Sequence, residues 1–224
     1  MNAQAKPAPQ PKARILLVDD HPVVREGLAR LIGHHDDMEI VGEAASADEA
    51  LAVYESVQPD LTIVDISLGG RDGLSLIKDM LTRWPGARTL VLSMHGERLY
   101  AERCLRAGAR GYVMKQAPPE DLLEALREVL SGGVYTSAAV KSELFERMAQ
   151  GGVEAAPMDD LTDRELEIFR MIGQGITNAE IATRLSLSPK TIDTYRDRLK
   201  KKLQLKTGAE LMQRAVLWVE GGAA

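Results

Sequence analysis

Between residues 14 and 130, short apolar runs rich in β-branched residues alternate with longer stretches in which apolar positions recur every three or four residues. The runs are ILLV at 15–18, MEIVGEA around Ile40, LTIV at 61–64, TLVLS at 89–93 and GYVM at 111–114. The stretches of helical period cover 22–32, 47–57, 73–83, 97–107 and 119–130. Strands that are apolar throughout are covered on both faces, and strand-helix alternation makes them parallel. The pattern therefore predicts an α/β, flavodoxin-like, doubly wound domain with a five-stranded parallel sheet, over residues 14–133.

Three prolines in the first thirteen residues, Pro7, Pro9 and Pro11, make 1–13 a disordered extension. Gly132 and Gly133 close the last helix of the first domain, and 134–158 reads as a linker, with one further helical stretch at 140–150. Beyond it the period is helical alone, at 163–172, 178–185, 189–203 and 209–219, with very short connections. Residues 159–224 are thus expected to form a small all-α unit of four helices.

Charge sharpens this division. The chain of 224 residues carries a net charge of −5, but residues 159–224 hold 11 Lys and Arg against 10 Asp and Glu, and the acidic excess lies entirely before them. Within 184–206 eight basic residues face only Asp193 and Asp197. A whole-chain acidic balance therefore does not exclude a polyanionic partner for the second unit, although a basic run is equally compatible with a solvated helix face. A single cysteine, Cys104, forms no internal disulfide, no apolar run reaches the ~20 residues of a membrane span, and the N-terminal residues lack an apolar signal core. The expectation is a cytoplasmic protein, with Cys104 a small buried residue and His34-His35 a solvated pair.

In an open α/β sheet, ligands bind beyond the carboxyl ends of the strands where the winding reverses. Asp19 and Asp20 follow the first strand, Asp65 the third, Ser93 ends the fourth and Lys115 follows the fifth. Each alone has a plain structural explanation as a cap, a turn residue or a solvated charge. Together they form a chemical kit. Three carboxylates repel one another, and a hard dication with oxygen ligands, magnesium above all, relieves this. Asp65 is then placed to attack a phosphoryl donor, Lys115 to offset charge on the transferred group, and Ser93 to hydrogen-bond a phosphoryl oxygen.

The stretches ILLVDDH, TIVDISL, LVLSMH and GYVMK resemble the receiver domain of two-component response regulators, over residues 14 to about 130. The resemblance implies Asp65 as phosphoacceptor, Asp19, Asp20 and Asp65 with the Ser67 backbone carbonyl as the Mg2+ ligands, Ser93 and Tyr112 as switch residues, and Lys115 as phosphate contact. The chain departs from the family in the loop after the acceptor, SLGGRDG, where Gly69 and Gly70 replace the frequent proline.

In the second unit LTDREL offers Thr162 as a helix cap with Glu165 three residues on, and Ser188-Pro189 starts the third helix. Apolar stripes at Ile181, Ala182, Leu185 and at Ile192, Tyr195, Leu199, Leu203 give two packed helices joined by a tight turn. LTDREL, GQGITNAEIA, SPKTI and KKL resemble the LuxR-type helix-turn-helix over residues 160–219, and the two halves together resemble a NarL/FixJ-type response regulator. That resemblance implies promoter DNA, a sensor histidine kinase and a second copy of the chain as partners. The candidate DNA-binding residues are Lys190, Thr191, Asp193, Thr194, Arg196, Asp197, Arg198, Lys200 and Lys201. Asp193 and Tyr195 stand where the family commonly has a basic residue and a histidine. Leu211, Ala215 and Trp218, spaced by four and three, form a candidate dimer face on the last helix, and the same stripe equally fits a seam of the domain core. Two other readings stay open: a vestigial receiver on a phosphorylation-independent DNA-binding protein, and a magnesium-dependent phosphohydrolase with an Asp nucleophile. The second lacks an Asp two residues after Asp65, where Ser67 stands, and with it the usual general acid. The chain is expected to be a switch whose only catalysis is its own phosphorylation and slow dephosphorylation.

Overall fold

The structure, a computed structural model, describes residues 11–68, 73–94, 96–149, 158, 161–185 and 187–220. Most of the expected N-terminal extension and the loop containing Gly69 and Gly70 lie outside the described residues.

Five strands and five helices alternate as β1 (Ala13–Val18), α1 (Pro22–Gly33), β2 (Met38–Ala44), α2 (Ala47–Val57), β3 (Leu61–Val64), α3 (Gly73–Arg83), β4 (Thr89–Ser93), α4 (Glu97–Arg106), β5 (Gly111–Met114) and α5 (Pro119–Leu130). All strand pairs are parallel and the order is β2-β1-β3-β4-β5. The winding reverses between β1 and β3, so the residues after these two strands border the crevice. β1 begins two residues earlier than the run at 15–18, because the Ala13 N–H donates to the Asp37 carbonyl at 2.9 Å.

The double-sided burial read from the sequence is present. Leu16, Val18, Val64 and Val91 face α2, α3 and α4, whereas Ile15, Leu17, Ile63 and Leu92 face α1 and α5. Gly73 is forced by this packing: a Cβ there would overlap the Asp65 carbonyl, so only glycine lets α3 start against the end of β3. Its N–H bonds to the Ile66 carbonyl at 2.9 Å and draws the helix start to the crevice.

The segment 134–158 is structured over much of its length. Tyr135 forms a parallel bridge to Gly111: the Tyr112 N–H donates to the Tyr135 carbonyl and the Tyr135 N–H to the Arg110 carbonyl, both at 3.0 Å. Helix α6 (Ala138–Ala149) follows. The ordered sheet contact thus extends past residue 133, where the first domain was expected to end. Helix α4 grips the chain that leaves β5 at two points. Glu97 Oε1 accepts from the Ser137 N–H at 2.7 Å, and the Arg103 guanidinium donates to the carbonyls of Met158, at 2.8 Å, and Leu161.

The last four helices are α7 (Asp163–Gly173), α8 (Asn178–Arg184), α9 (Pro189–Lys202) and α10 (Gly208–Glu220). Their starts are written locally. Thr162 with Glu165 and Thr177 with Glu180 form two reciprocal capping boxes, and the Ser188 side chain accepts from the Thr191 N–H ahead of α9. Ile168, Phe169, Ile172, Ile181, Ile192, Leu199, Leu211 and Ala215 are fully or almost fully buried among the four helices. Leu211 and Ala215 therefore correct the expected dimer face: they are core of the domain, and Trp218 packs on Phe169 with ring centroids 5.5 Å apart. The stripe was ambiguous in sequence because a core seam and a dimer seam share the same spacing. The outward side of α10 carries Met212 and Leu217 instead, both substantially exposed.

Candidate functional site

The crevice at the ends of β1, β3, β4 and β5 gathers the expected residues. Asp19 and Asp65 are almost completely buried, and the Lys115 ammonium sits between them, 2.6 Å from Asp19 Oδ2 and 2.7 Å from Asp65 Oδ2. Asp20 and His21 complete the cluster: one ligand atom from each of Asp19, Asp20, His21 and Asp65 lies within 4.8 Å of the others. His21 was not singled out by the sequence reading, although it is the fourth letter of VDDH. Its backbone N–H donates to Asp19 Oδ1 at 2.9 Å, and its Nδ1 lies 2.7 Å from Asp20 Oδ1.

The electrostatics follow from this crowding. Burial is the main cause that lifts the Asp65 carboxyl above its usual range. The Lys115 charge and hydrogen bond oppose it, the Asp19 charge adds to it, and the Ser67 N–H opposes it weakly. For Lys115, burial would lower the ammonium, but the Asp65 charge and the hydrogen bonds to Asp19 and Asp65 prevail and hold it above its usual value. The lysine is therefore a firmly charged counterion in a cluster that still has a surplus of negative charge. Three carboxylates against one ammonium, all hard oxygen donors on one rim, fit a hexacoordinate dication of the magnesium type.

Ser93 and Tyr112 are both fully buried, and the Lys115 N–H donates to the Ser93 carbonyl at 2.7 Å. The end of β4 is thus tied by one backbone bond to the residue whose ammonium contacts Asp65. Tyr112 is in turn the residue whose N–H meets Tyr135, so the crevice and the chain leaving β5 share a strand four residues long. Cys104 is buried, as expected; of the pair expected to be solvated, His34 is exposed and His35 half-buried.

The second candidate surface is α9. Ile192 and Leu199 are buried, and Lys190, Asp193, Thr194, Asp197, Arg198 and Lys201 are exposed, with Thr191, Arg196 and Lys200 partly covered. Both acids have partners. Asp193 Oδ1 accepts from Asn178 Nδ2 at 2.8 Å, and the same amide's oxygen accepts from Arg196 at 3.1 Å, so Asn178 clamps two consecutive turns of α9. Asp197 lies 2.9 Å from Lys200, whose hydrogen bond holds its carboxyl below the usual range. The bulk of the exposed face stays cationic. The C-terminal end of α9 is fixed by Lys202, 2.6 Å from the buried Glu165 carboxylate. Among the described residues no helix is long and apolar enough to cross a membrane.

Comparison with known proteins assigns both halves of the chain to known families. Residues 15–127 match the family described as response regulator receiver domain, and residues 159–215 the family described as bacterial regulatory proteins, luxR family. The chain is 35% identical to the oxygen regulatory protein NreC of Staphylococcus carnosus, over 91% of this chain and 96% of that protein. It is 33% identical to the nitrate/nitrite response regulator protein NarL of Escherichia coli K12, over 94% and 96% respectively. Among solved structures it is similar to RcsB from Salmonella enterica serovar Typhimurium bound to promoter P1flhDC in the presence of a phosphomimetic. The TM-score is 0.57 at 27% identity, over 91% of this chain and 97% of that one. Receiver crevice, helix-turn-helix and near-complete coverage of these relatives lead to one conclusion: the chain belongs to the NarL/FixJ-type response regulators of two-component systems, transcriptional regulators rather than enzymes of the usual kind.

Proposed function

We propose that Asp65 accepts a phosphoryl group from a sensor histidine kinase in the cytoplasm, and that the phosphorylated chain binds promoter DNA through α9 as a homodimer. The observation that carries the reading is the Lys115 ammonium held between Asp19 and Asp65 at the reversal of the sheet. A buried carboxylate beside a fixed cation is a nucleophile whose product charge already has a counterion. One Asp65 oxygen forms the new P–O bond while the bond from phosphorus to the donor nitrogen or oxygen breaks, and the leaving group takes that electron pair. Asp19, Asp20, Asp65 and the Ser67 carbonyl would hold Mg2+, which supplies charge neutralisation on the transferred oxygens. Ser93 and Tyr112 would respond to the new phosphate, and residues 14–133 and 159–224 are the proposed functional units, joined by 134–158.

At the DNA, Lys190, Thr191, Asp193, Thr194 and Asp197 would face the groove. Arg196, Arg198, Lys200 and Lys201 would meet phosphates, which supply affinity more than sequence information. Intact mass after exposure to an acyl phosphate with Mg2+ tests the core of this reading. One added phosphoryl group is expected on the wild type and none on Asp65→Asn. A wild type that gains nothing returns the vestigial-receiver reading to first place, and a mutant that still gains the mass refutes the assignment.

A further inference from the structure

The loop after β1, which carries Asp19, Asp20 and His21, is held from below by a side chain outside the motif. Arg25 lies one turn into α1, and its Nη1 reaches back to the Asp19 backbone carbonyl at 2.5 Å. Its Nε is in turn fixed by Glu43 Oε2, near the end of β2, at 3.1 Å. The arginine side chain is only 17% exposed. The Asp19 N–H donates to the Ala44 carbonyl at 3.1 Å, so both backbone polar groups of Asp19 are anchored to or through the neighbouring strand. A rigid guanidinium fork suits this bridge, since it serves two acceptors at once in fixed geometry.

We infer that Arg25 is a positioning residue for the acidic crevice: with Glu43 it sets the backbone at Asp19, and thereby the direction from which the Asp19 and Asp20 carboxylates meet a bound dication. The inference rests on the Mg2+ reading of the crevice given above. It makes a prediction opposite in sign to simple charge arithmetic. Arg25 is a positive charge near a cation site, so if charge were its only contribution, removing it would tighten Mg2+ binding. If it positions the loop, removing it weakens binding, by about 10-fold, the lower end of what loss of a supporting partner does at metal sites.

The test is Mg2+ titration of the full-length wild type, Arg25→Ala, Arg25→Lys and Glu43→Gln by calorimetry, in the absence of any phosphodonor. Amide hydrogen exchange at Asp19 and His21 is followed in the metal-free proteins. Weaker binding by roughly 10-fold is expected for Arg25→Ala and roughly 3–10-fold for Arg25→Lys, which keeps the charge and loses the fork. Both amides should exchange faster without metal. Tighter binding by Arg25→Ala, or wild-type binding by Arg25→Lys, overturns the inference while leaving the metal site intact. A wild type that takes up no Mg2+ overturns the metal reading itself and the inference with it. Should Arg25→Ala fail to fold, Glu43→Gln, which leaves Arg25 in place, is expected to weaken binding by roughly 3-fold, and wild-type affinity in it refutes the bridge.

Discussion

Replacing Asp65 with Asn is expected to stabilise the metal-free protein, because the crevice holds more negative charge than its single ammonium offsets. Asp65 lies within 4.8 Å of the ligand atoms of Asp19 and Asp20, and at an effective dielectric of 20 each such repulsion is about 3.5 kcal/mol. Attraction to Lys115 at 2.7 Å returns about 6 kcal/mol on the same scale, leaving a small net repulsion before burial of the carboxylate is added. Lys115 keeps Asp19 at 2.6 Å in the variant, so the amide does not leave an ammonium stranded. The net gain should be about 1–3 kcal/mol, a rise in melting temperature of about 5 °C. The raised carboxyl of Asp65 fixes the pH dependence. Just above pH ~3.9, the unfolded chain has released a proton that the folded chain still holds, so this contribution to stability falls as pH rises. Above the folded value the penalty is complete, and the gap between wild type and Asp65→Asn should open from acid towards neutral pH. Urea unfolding followed by Trp84, which packs on Tyr54 with ring centroids 4.3 Å apart, measures it once Trp218 is replaced by Phe in both proteins. Added Mg2+ should close the gap by stabilising the wild type more. A variant less stable than the wild type at neutral pH without metal, or a gap indifferent to pH, would refute the reasoning.

Glu165→Ala removes a capping-box partner and the contact to the exposed Lys202, so the helical unit should lose about 1–2 kcal/mol, read from the Trp218 signal in urea. Glu165→Gln keeps the cap acceptor and should lose less. Met212→Glu with Leu217→Glu should lower operator affinity of the phosphorylated chain by at least ~10-fold with little change in stability, and unchanged affinity would move the dimer contact off α10. Asp197→Ala should leave the preferred operator unchanged if the acid only pairs with Lys200, and binding-site selection that shows a relaxed position would demonstrate base reading. Lys201→Ala should weaken all sequences alike and lower the salt slope by about 1.

Much of this arrangement was legible in the chain because it is encoded locally. Continuous apolar runs and period-3.6 patterns located the strands and helices to within a few residues, and residues at strand ends must meet once the sheet is parallel. Thr162, Ser188 and Pro189 marked helix starts for the same reason, since a cap bonds three residues ahead. What escaped depends on separations that no period reports. Asn178 meets Asp193 and Arg196 across the turn between α8 and α9, and Arg25 meets Asp19 only because α1 folds back under the loop. The α10 stripe was undecidable for a different reason. Leu211 and Ala215 look alike whether they face α7 or a second copy, and only the closeness of the two helices settles it. Gly173 is the sign of that closeness, since a Cβ there would overlap the Ala215 carbonyl.

The bridge from Tyr135 to Gly111 bears on how far the first half can be shortened. β5 is the outermost strand of the sheet, and a strand with a bare row of N–H and C=O groups is a template for pairing with another molecule. In this chain the residues that follow α5 turn back and cap that row at Tyr112 and Arg110. A fragment ending at Leu130 loses the cap and presents an open margin to its own kind, so it should self-associate on concentration. A fragment carried to Ser137 keeps the margin closed and should remain dispersed under the same conditions.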